Sequence, residues 1–292
     1  MIGSGIGTNA FDPDLETFMR KLAQFGYSHI YFDHWAFSKS ASELEQIAGL
    51  YEQYSLQPAG AHSPGRFLPE TESKLEEMIA HHKTVLDKAA ILGCKSVAFH
   101  VASVQGVRYE ETGTFIEQVG RAKFDQMNFR TVRELAVYGE KKQVKVAMEN
   151  LPPDIAANYC RTIDDLKRIL TGAGHPNVGI CIDTGHANIS GLNPGEMIRD
   201  AGELLIETHF NDNFGWICPE NAVNDIHRPP GIGTVNWLEV VDALHSINYT
   251  GPIIFELLPT KFETDEVDTF LTLTKHNWQY LIAAWEFIQK SI

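Results

Sequence analysis

Short runs of apolar residues alternate along the chain with longer segments whose apolar positions recur at helical spacing. There are eight such runs, and they are rich in Val, Ile, Phe and Ala. Several are apolar on successive residues, which is typical of strands buried on both faces. The predicted strands are Ile2–Gly7, His29–Asp33, Gln57–His62, Ser96–His100, Lys145–Glu149, Val178–Asp183, Leu204–His209 and Pro252–Glu256.

Each predicted strand is followed by a segment that favours a helix. The first such segment has apolar residues at positions 15, 18, 19 and 22, which places them on one helical face. The predicted helices are Asp14–Phe25, Ser42–Tyr54, Glu72–Leu92, Phe124–Lys142, Thr162–Leu170, Pro194–Ala201, Trp237–Ile247 and Val267–Gln289. Ser42–Glu45 and Thr162–Asp165 match the pattern of helix N-terminal caps, and Gly93 is expected to end the third helix.

The repeated alternation of strand and helix predicts an α/β protein that forms a single (β/α)8 TIM barrel. No linker rich in Pro, Gly or Ser interrupts the chain, so we expect one domain over residues 1–292. The alternative is a doubly wound sheet split into two domains, and it would need a boundary that the sequence lacks. One connection, residues 210 to 236, is long and would open on the C-terminal face of a barrel, where active sites lie.

Composition and charge restrict the classes of function. Of the 292 residues, 43% are hydrophobic and 21% are charged, as in ordinary globular proteins, and the net charge is −14. This acidity disfavours general binding to nucleic acids or anionic membranes. The chain has no apolar run long enough to span a membrane and no signal-peptide pattern at its start. Its four scattered cysteines lack CxxC spacing, which predicts free thiols and a cytoplasmic protein.

Six consecutive predicted strands, the third to the eighth, end in a residue type that ligates metal ions. These residues are His62, His100, Glu149, Asp183, His209 and Glu256. Barrel closure brings the ends of the strands into one ring, and charged groups are seldom buried there unless they are paired or bind a metal. Each residue alone is commonly a packing or turn residue, but six together predict a metal centre.

Four of these side chains offer one nitrogen and several oxygens, a set that suits one Mn²⁺, Mg²⁺ or Co²⁺ and also allows Zn²⁺. The four expected ligands are Glu149, Asp183, His209 and Glu256. The other candidates either bind further ions of zinc type or hydrogen-bond a polyhydroxylated substrate, and the sequence leaves both open. These candidates are His62, His100, His186, Asp225 and His227.

The motifs at the strand ends resemble those of the xylose-isomerase-like barrel superfamily, which contains sugar isomerases and epimerases and the endonuclease-IV-type apurinic endonucleases. The resemblance extends over nearly the whole chain. The motifs are Ala61-His62-Ser63-Pro64, Phe99-His100, Met148-Glu149-Asn150, Cys181-Ile182-Asp183-Thr184-Gly185-His186, Thr208-His209-Phe210-Asn211-Asp212-Asn213, Asp225-Ile226-His227-Arg228-Pro229-Pro230-Gly231-Ile232-Gly233 and Phe255-Glu256.

The resemblance implies roles for single residues. In tagatose-epimerase-like members, the positions that match the four expected ligands bind one divalent ion. Glu149 and Glu256 match the glutamates that move protons on opposite faces of the substrate, and His186 matches a position that contacts the sugar. The arginine that such epimerases have shortly after the histidine of strand seven is absent here, which argues against ketohexose 3-epimerisation. In the endonuclease-like members nine positions bind three zinc ions, and all nine have a matching residue in this chain.

The function that this resemblance implies is a divalent-metal-dependent isomerase or epimerase. It would act on a sugar, keto-polyol or sugar phosphate by proton abstraction next to a carbonyl, through an enediolate. Dehydration of a keto-polyol at the same site is a lyase variant. We expect one divalent ion, with Mn²⁺ as first choice, a small carbohydrate as substrate, and a homo-oligomer (dimer or tetramer), as in relatives.

The alternative function is a zinc-dependent, endonuclease-IV-like phosphodiesterase on abasic DNA. The nine matching positions favour it, whereas the net charge of −14 and the lack of a basic loop disfavour it. A non-catalytic, metal-dependent sugar sensor is a third hypothesis, for which the sequence offers no positive feature.

Overall fold

The computed structural model describes residues 4–7, 14–64, 72–100, 116–117, 119–152, 159–215, 225–257 and 267–291. Its strands agree with the predicted ones to within about two residues, the usual uncertainty of element boundaries. They are β1 Ser4–Gly7, β2 His29–Phe32, β3 Gln57–His62, β4 Ser96–Phe99, β5 Lys145–Glu149, β6 Val178–Asp183, β7 Leu205–His209 and β8 Ile253–Phe255.

The strands form one eight-stranded parallel sheet in which neighbours in sequence are neighbours in space. β1 also pairs with β8, so the sheet curves round on itself. Between β7 and β8, Phe210 N donates to Ile254 O (2.8 Å) and Ile254 N donates to Thr208 Oγ1 (3.0 Å). The predicted (β/α)8 TIM barrel is therefore confirmed, and the doubly wound alternative is wrong.

Helices lie between the strands, and each of the eight predicted helices is present. Those in the described ranges are α1 Leu15–Gln24, α2 Ala41–Gln53, α3 Glu72–Ile91, α4 Arg121–Lys142, α5 Ile163–Ala173, α6 Thr184–Ile189, α7 Pro194–Ala201, α8 Trp237–Ser246 and α9 Val267–Ser291. Helix α6 was not predicted, because six residues are too few for a helical period to be recognised.

One predicted cap was wrong. Helix α2 is capped by Ser40, whose Oγ accepts from Glu43 N (3.3 Å) while Glu43 Oε2 accepts from Ser40 N (2.8 Å). Two overlapping Ser-x-x-Glu patterns occur here, and the earlier one is used. The predicted capping box that begins at Thr162 is confirmed, and Gly93 (φ +70°) directly follows the last turn of α3.

The apolar core lies between the sheet and the surrounding helices, and every residue of β4 and β6 is buried. This is the burial that their continuous apolar runs predict. The described cysteines are Cys94, Cys160 and Cys181, all buried and free; Cys218 lies outside the described residues. Among the helices of the described ranges, none combines the length and apolar character needed to cross a membrane.

Candidate metal centre

All nine predicted site residues lie at the C-terminal end of the barrel. Four of them, His62, Glu149, Asp183 and His209, are the last residues of β3, β5, β6 and β7. Two others directly follow β4 and β8, one lies in α6, and two lie in the loop after β7; they are His100, Glu256, His186, Asp225 and His227. Because the strands are parallel, these side chains share one edge of the sheet.

Four of these residues form what we call the central cluster: Glu149, Asp183, His209 and Glu256. One ligand atom from each lies within 4.8 Å of the others. His209 Nδ1 is 3.3 Å from Glu149 Oε1 and 3.2 Å from Glu256 Oε2. These three atoms are buried, and none has a hydrogen-bond partner among the described residues. Converging lone pairs without a donor need a positive charge between them, so the donor set fits a divalent ion.

A second group, the paired-histidine cluster, consists of His62, His100 and Glu149. His62 Nε2 and His100 Nε2 are 3.0 Å apart, and they lie 3.4 and 3.1 Å from Glu149 Oε2. Glu149 therefore uses one carboxylate oxygen in the central cluster and the other in this cluster. The arrangement could bind a second ion or present two imidazoles to a substrate.

A third group, the loop cluster, consists of His186, Asp225 and His227. Asp225 Oδ1 is 2.8 Å from His227 Nε2 and 3.6 Å from His186 Nε2. His227 adopts a left-handed backbone conformation (φ +43°), and its Nδ1 lies 3.0 Å from Glu256 O. Because a non-glycine residue rarely adopts this conformation, the contacts of His227 must hold its backbone in place beside the central cluster.

The carboxylates and imidazoles strongly shift each other's pKa. Burial alone would raise the pKa of Glu149, but His209 and His100 outweigh burial and lower this pKa well below its usual range. The pKa of Glu256 is lowered in the same way, by His209 and His227 against burial. For Asp183, burial dominates over His186 and His227 and raises the pKa to about 6. The glutamates are thus ionised at neutral pH.

The histidines compensate this negative charge. Burial opposes protonation of His209, but Cys181 and Tyr31, and then Glu149 and Glu256, raise its pKa well above the ordinary value. The pKa of His62 rises to about 9 against burial, through Glu149, whereas burial lowers the pKa of His100. Two imidazolium groups 3.0 Å apart would repel each other, so one proton serves this pair. A divalent ion would replace such protons, because ligands must be deprotonated to bind it.

The sequence did not identify the residues that orient Asp183. Its Oδ1 accepts from His186 N (2.6 Å), and its Oδ2 accepts from Asn211 Nδ2 (2.8 Å). Asn150 pairs with the backbone of Asp183 through two hydrogen bonds of 2.8 and 2.9 Å. Both asparagines are fully buried. The available signal was their position shortly after ligand residues: Asn150 directly follows Glu149, and Asn211 is two residues after His209.

Asp212 organises the loop that carries Asp225 and His227, and the sequence did not identify it either. Its Oδ2 accepts from Gly231 N, Gly233 N and Trp237 Nε1 at 3.0, 2.9 and 2.8 Å. Its Oδ1 accepts from two further backbone N–H groups, those of residues 213 and 235. This buried carboxylate therefore fixes the path of residues 231–237.

A third unpredicted feature lies on the opposite side of His209 from the central cluster. His209 Nε2 is 2.8 Å from Tyr31 OH and 3.1 Å from Glu207 Oε1. Burial, and then the Glu207 carboxylate, raise the pKa of Tyr31 well above its ordinary value, so the phenol remains protonated. Glu207 precedes His209 by two residues on β7 and therefore points to the same face of the strand.

Comparisons with known proteins agree with this fold. The family model described as a xylose isomerase-like TIM barrel matches residues 19–271. The chain is 25% identical over 267 residues to the 2-oxo-tetronate isomerase of Haemophilus influenzae, with 88% of this chain and 93% of that protein covered. It is 32% identical over 130 residues to the D-psicose 3-epimerase of Enterocloster bolteae, with only 44% and 38% covered. A crystal structure of a D-psicose 3-epimerase in the presence of D-fructose superposes with a TM-score of 0.78 at 19% identity, over 96% of this chain and 98% of that one. The chain thus belongs to the xylose isomerase-like TIM-barrel family.

Proposed function

We propose that the protein is a divalent-metal-dependent isomerase or epimerase that acts on a sugar, keto-polyol or sugar phosphate. The observation that carries the proposal is the convergence of Glu149 Oε1, His209 Nδ1 and Glu256 Oε2, which lack hydrogen-bond partners within the described ranges. The names of the relatives, a 2-oxo-tetronate isomerase and a D-psicose 3-epimerase, support a small carbohydrate as substrate.

The ion would be bound by the central cluster, which offers one imidazole nitrogen and carboxylate oxygens. We propose one ion per chain, with Mn²⁺ as first choice, because this mixed donor set suits it. A bound divalent ion would polarise the substrate carbonyl and stabilise the negative charge of an enediolate. The dimer or tetramer and the cytoplasmic location that we expect from the sequence stay predictions.

Glu149 and Glu256 are the proposed acid and base. They extend from β5 and β8, and both approach His209 Nδ1. Neighbouring imidazoles lower the pKa of both glutamates, so both carboxylates are ionised. The glutamate on the side of the acidic C–H bond removes the proton next to the carbonyl. The glutamate that took the proton can return it to the neighbouring carbon, which gives isomerisation. In epimerisation the other glutamate, after it has taken up a proton from solvent, delivers that proton to the opposite face of the same carbon. In dehydration the protonated glutamate gives its proton to the leaving hydroxyl group, which departs as water.

The other imidazoles would orient the substrate. His62 and His100 are partly exposed at the mouth of the barrel, with 14% of each side chain accessible. His186 is buried beside Glu149, with its Nδ1 3.4 Å from Glu149 Oε1. Imidazole nitrogens can donate to or accept from sugar hydroxyls, so these three residues are suited to bind a polyol next to the ion.

The alternative, a zinc phosphodiesterase, gains support from one observation. Besides the central cluster, two further groups could each hold an ion, and each shares one residue with the central cluster. They are His62, His100 and Glu149, and Asp183, His186 and His227. The relatives named above, a D-psicose 3-epimerase and a 2-oxo-tetronate isomerase, favour the sugar enzyme instead. The number of ions per chain distinguishes the two functions.

The test of the proposal is the exchange of a carbon-bound substrate proton with D₂O. Wild type would be screened against ketoses, inososes and their phosphates, in the presence of Mn²⁺. The variants Glu149→Gln and Glu256→Gln should abolish the exchange, while equilibrium binding of the sugar stays measurable. Glu140→Gln, with a 61% exposed carboxylate on α4, is the matched control and should exchange normally. Full exchange in both site variants would overturn the assignment.

A further inference from the structure

The barrel interior contains a polar layer directly beneath the central cluster. It is formed by Tyr31 on β2, Ser96 on β4 and Glu207 on β7, whose exposed fractions are 0%, 5% and 4%. The interior of such barrels is ordinarily filled with bulky branched apolar side chains. A buried carboxylate costs free energy unless it is fully hydrogen-bonded, so the presence of Glu207 here requires a reason.

Glu207 is surrounded by hydrogen-bonding groups from several strands. Its Oε1 accepts from Tyr31 OH (2.8 Å) and lies 3.1 Å from His209 Nε2. Its Oε2 accepts from Ser96 Oγ. A Cβ on Gly60 would lie 3.0 Å from Glu207 Oε2, so the glycine of β3 leaves room for the carboxylate. The layer is thus shaped around Glu207.

The hydrogen bonds of this layer determine which ring nitrogen of His209 carries the proton. The Tyr31 hydroxyl has one proton, and it is donated to Glu207. Both oxygens of Glu207 accept from hydroxyl groups, Oε1 from Tyr31 and Oε2 from Ser96. His209 Nε2 lies next to two acceptors, the Tyr31 oxygen at 2.8 Å and Glu207 Oε1 at 3.1 Å, and these favour a proton on Nε2. In the neutral ring the lone pair is then on Nδ1, which points at Glu149 and Glu256.

We propose that Glu207 is a positioning residue that fixes the Nε2-protonated form and the orientation of His209, so that Nδ1 remains available to a divalent ion. This inference rests on the proposed metal centre. Glu207 is separated from the central cluster by the imidazole ring, so it acts through His209 and does not touch the substrate. Second partners of this kind orient metal-binding histidines and increase their basicity.

The Tyr31 hydroxyl gives substitutions of Glu207 an effect on His209 that a merely structural role of Glu207 would not have. In Glu207→Leu the acceptor of the Tyr31 proton is lost, and His209 Nε2, 2.8 Å from Tyr31 OH, can accept this proton instead. The neutral ring should then carry its proton on Nδ1, where it faces Glu149 and competes with the ion. Glu207→Gln retains an acceptor oxygen but loses the charge. Tyr31→Phe is the matched control, because it leaves the contact between Glu207 and His209 in place.

The first measurement is Mn²⁺ binding, followed by the electron paramagnetic resonance signal of free Mn²⁺. We expect an affinity about 100-fold weaker in Glu207→Leu and about 10-fold weaker in Glu207→Gln, the range found when such second partners are removed. Tyr31→Phe should stay close to wild type. Should Glu207→Leu fail to fold, Glu207→Gln decides, and an affinity equal to that of wild type overturns the inference.

The second measurement is ¹⁵N NMR of the histidine rings in metal-free protein, at a pH at which the His209 ring is neutral. The proton of His209 should be on Nε2 in wild type and Tyr31→Phe, and on Nδ1 in Glu207→Leu. An unchanged position in Glu207→Leu would overturn the inference. If wild type binds no Mn²⁺, the proposed function fails, whereas the NMR result still decides whether Glu207 sets the protonated nitrogen of His209.

Discussion

Glu149 Oε1 lies 3.3 Å from His209 Nδ1, and neither atom has a hydrogen-bond partner in the described part of the chain. A carboxylate oxygen and an imidazole nitrogen at this distance in a buried site repel each other unless a proton or a cation lies between them. Glu256 Oε2, at 3.2 Å from the same nitrogen, adds to this requirement. The site is therefore built for positive charge.

Gly185→Ala should weaken metal binding although residue 185 is not a ligand. A Cβ at this position would overlap Asn211 Oδ1, and the displaced Asn211 could no longer donate to Asp183 Oδ2, now 2.8 Å away. We expect an affinity for Mn²⁺ about 10-fold or more below that of wild type, measured by titration of metal-free protein.

The control for this variant is Gly49→Ala on α2. An added Cβ there has nothing within 4 Å, so the affinity for Mn²⁺ should not change, and helix stability should rise by up to about 1 kcal/mol. Equal Mn²⁺ affinities in the Gly185 and Gly49 variants would show that Asn211 does not orient Asp183.

Asp212→Asn should destabilise the protein because both oxygens of the carboxylate accept hydrogen bonds from N–H donors. Whichever way the Asn side chain is turned, its NH₂ group would replace an oxygen that accepts hydrogen bonds, and donor would then face donor. We expect the free energy of unfolding in urea to fall by about 3 kcal/mol. Trp237→Phe removes one donor and some of the buried ring that packs against Phe210 and Trp278, and it should cost about 2 kcal/mol. A stability of Asp212→Asn within error of wild type would contradict the role of Asp212.

His100→Gln separates the sugar enzyme from the nuclease alternative. If one ion is bound, by the central cluster, this variant should bind Mn²⁺ nearly as wild type does, while the KM for the sugar rises. His209→Gln is the comparison, and it should lose Mn²⁺ binding because it removes the nitrogen ligand. Metal analysis that finds three zinc ions in wild type and two in His100→Gln would favour the nuclease.

The free energy of unfolding should fall below about pH 6.5 because His82 is buried in its neutral form. It is 1% exposed, and burial, with a smaller effect of His81, lowers its pKa to about 3. Between these two pH values the unfolded chain binds a proton that the folded protein does not, so stability falls as the pH falls, by about 1.4 kcal/mol per unit. The His82 contribution is fully present above the pKa of the unfolded state.

His82→Gln removes this contribution and is compared with wild type by urea unfolding at about pH 7.5 and about pH 5.5. Wild type should lose about 1.4 kcal/mol more than the variant between the two. All other titrating groups are shared and cancel in the comparison. An equal loss in both proteins would mean that His82 is protonated in the folded state.

The sequence predicted the barrel and the gathering of nine residues because both follow from topology. Parallel strands that end in ligand residues bring those residues together whatever path the loops take. The positions of His62 and Glu149 could therefore be predicted from the strand ends alone. The partners of Asp212 could not be predicted, because they come from a loop about twenty residues later whose path depends on the folded structure. Glu207 could have been found, since an acidic residue two positions before His209 in an apolar strand shares its face.

We propose that the central cluster binds a single divalent ion. Anomalous diffraction near the manganese absorption edge, from crystals grown with MnCl₂, locates bound Mn²⁺ independently of any activity. We expect one strong peak within coordination distance of Glu149, Asp183, His209 and Glu256. A map without a peak at these residues, or with peaks of comparable height at the paired-histidine and loop clusters, would rule out a single-ion centre.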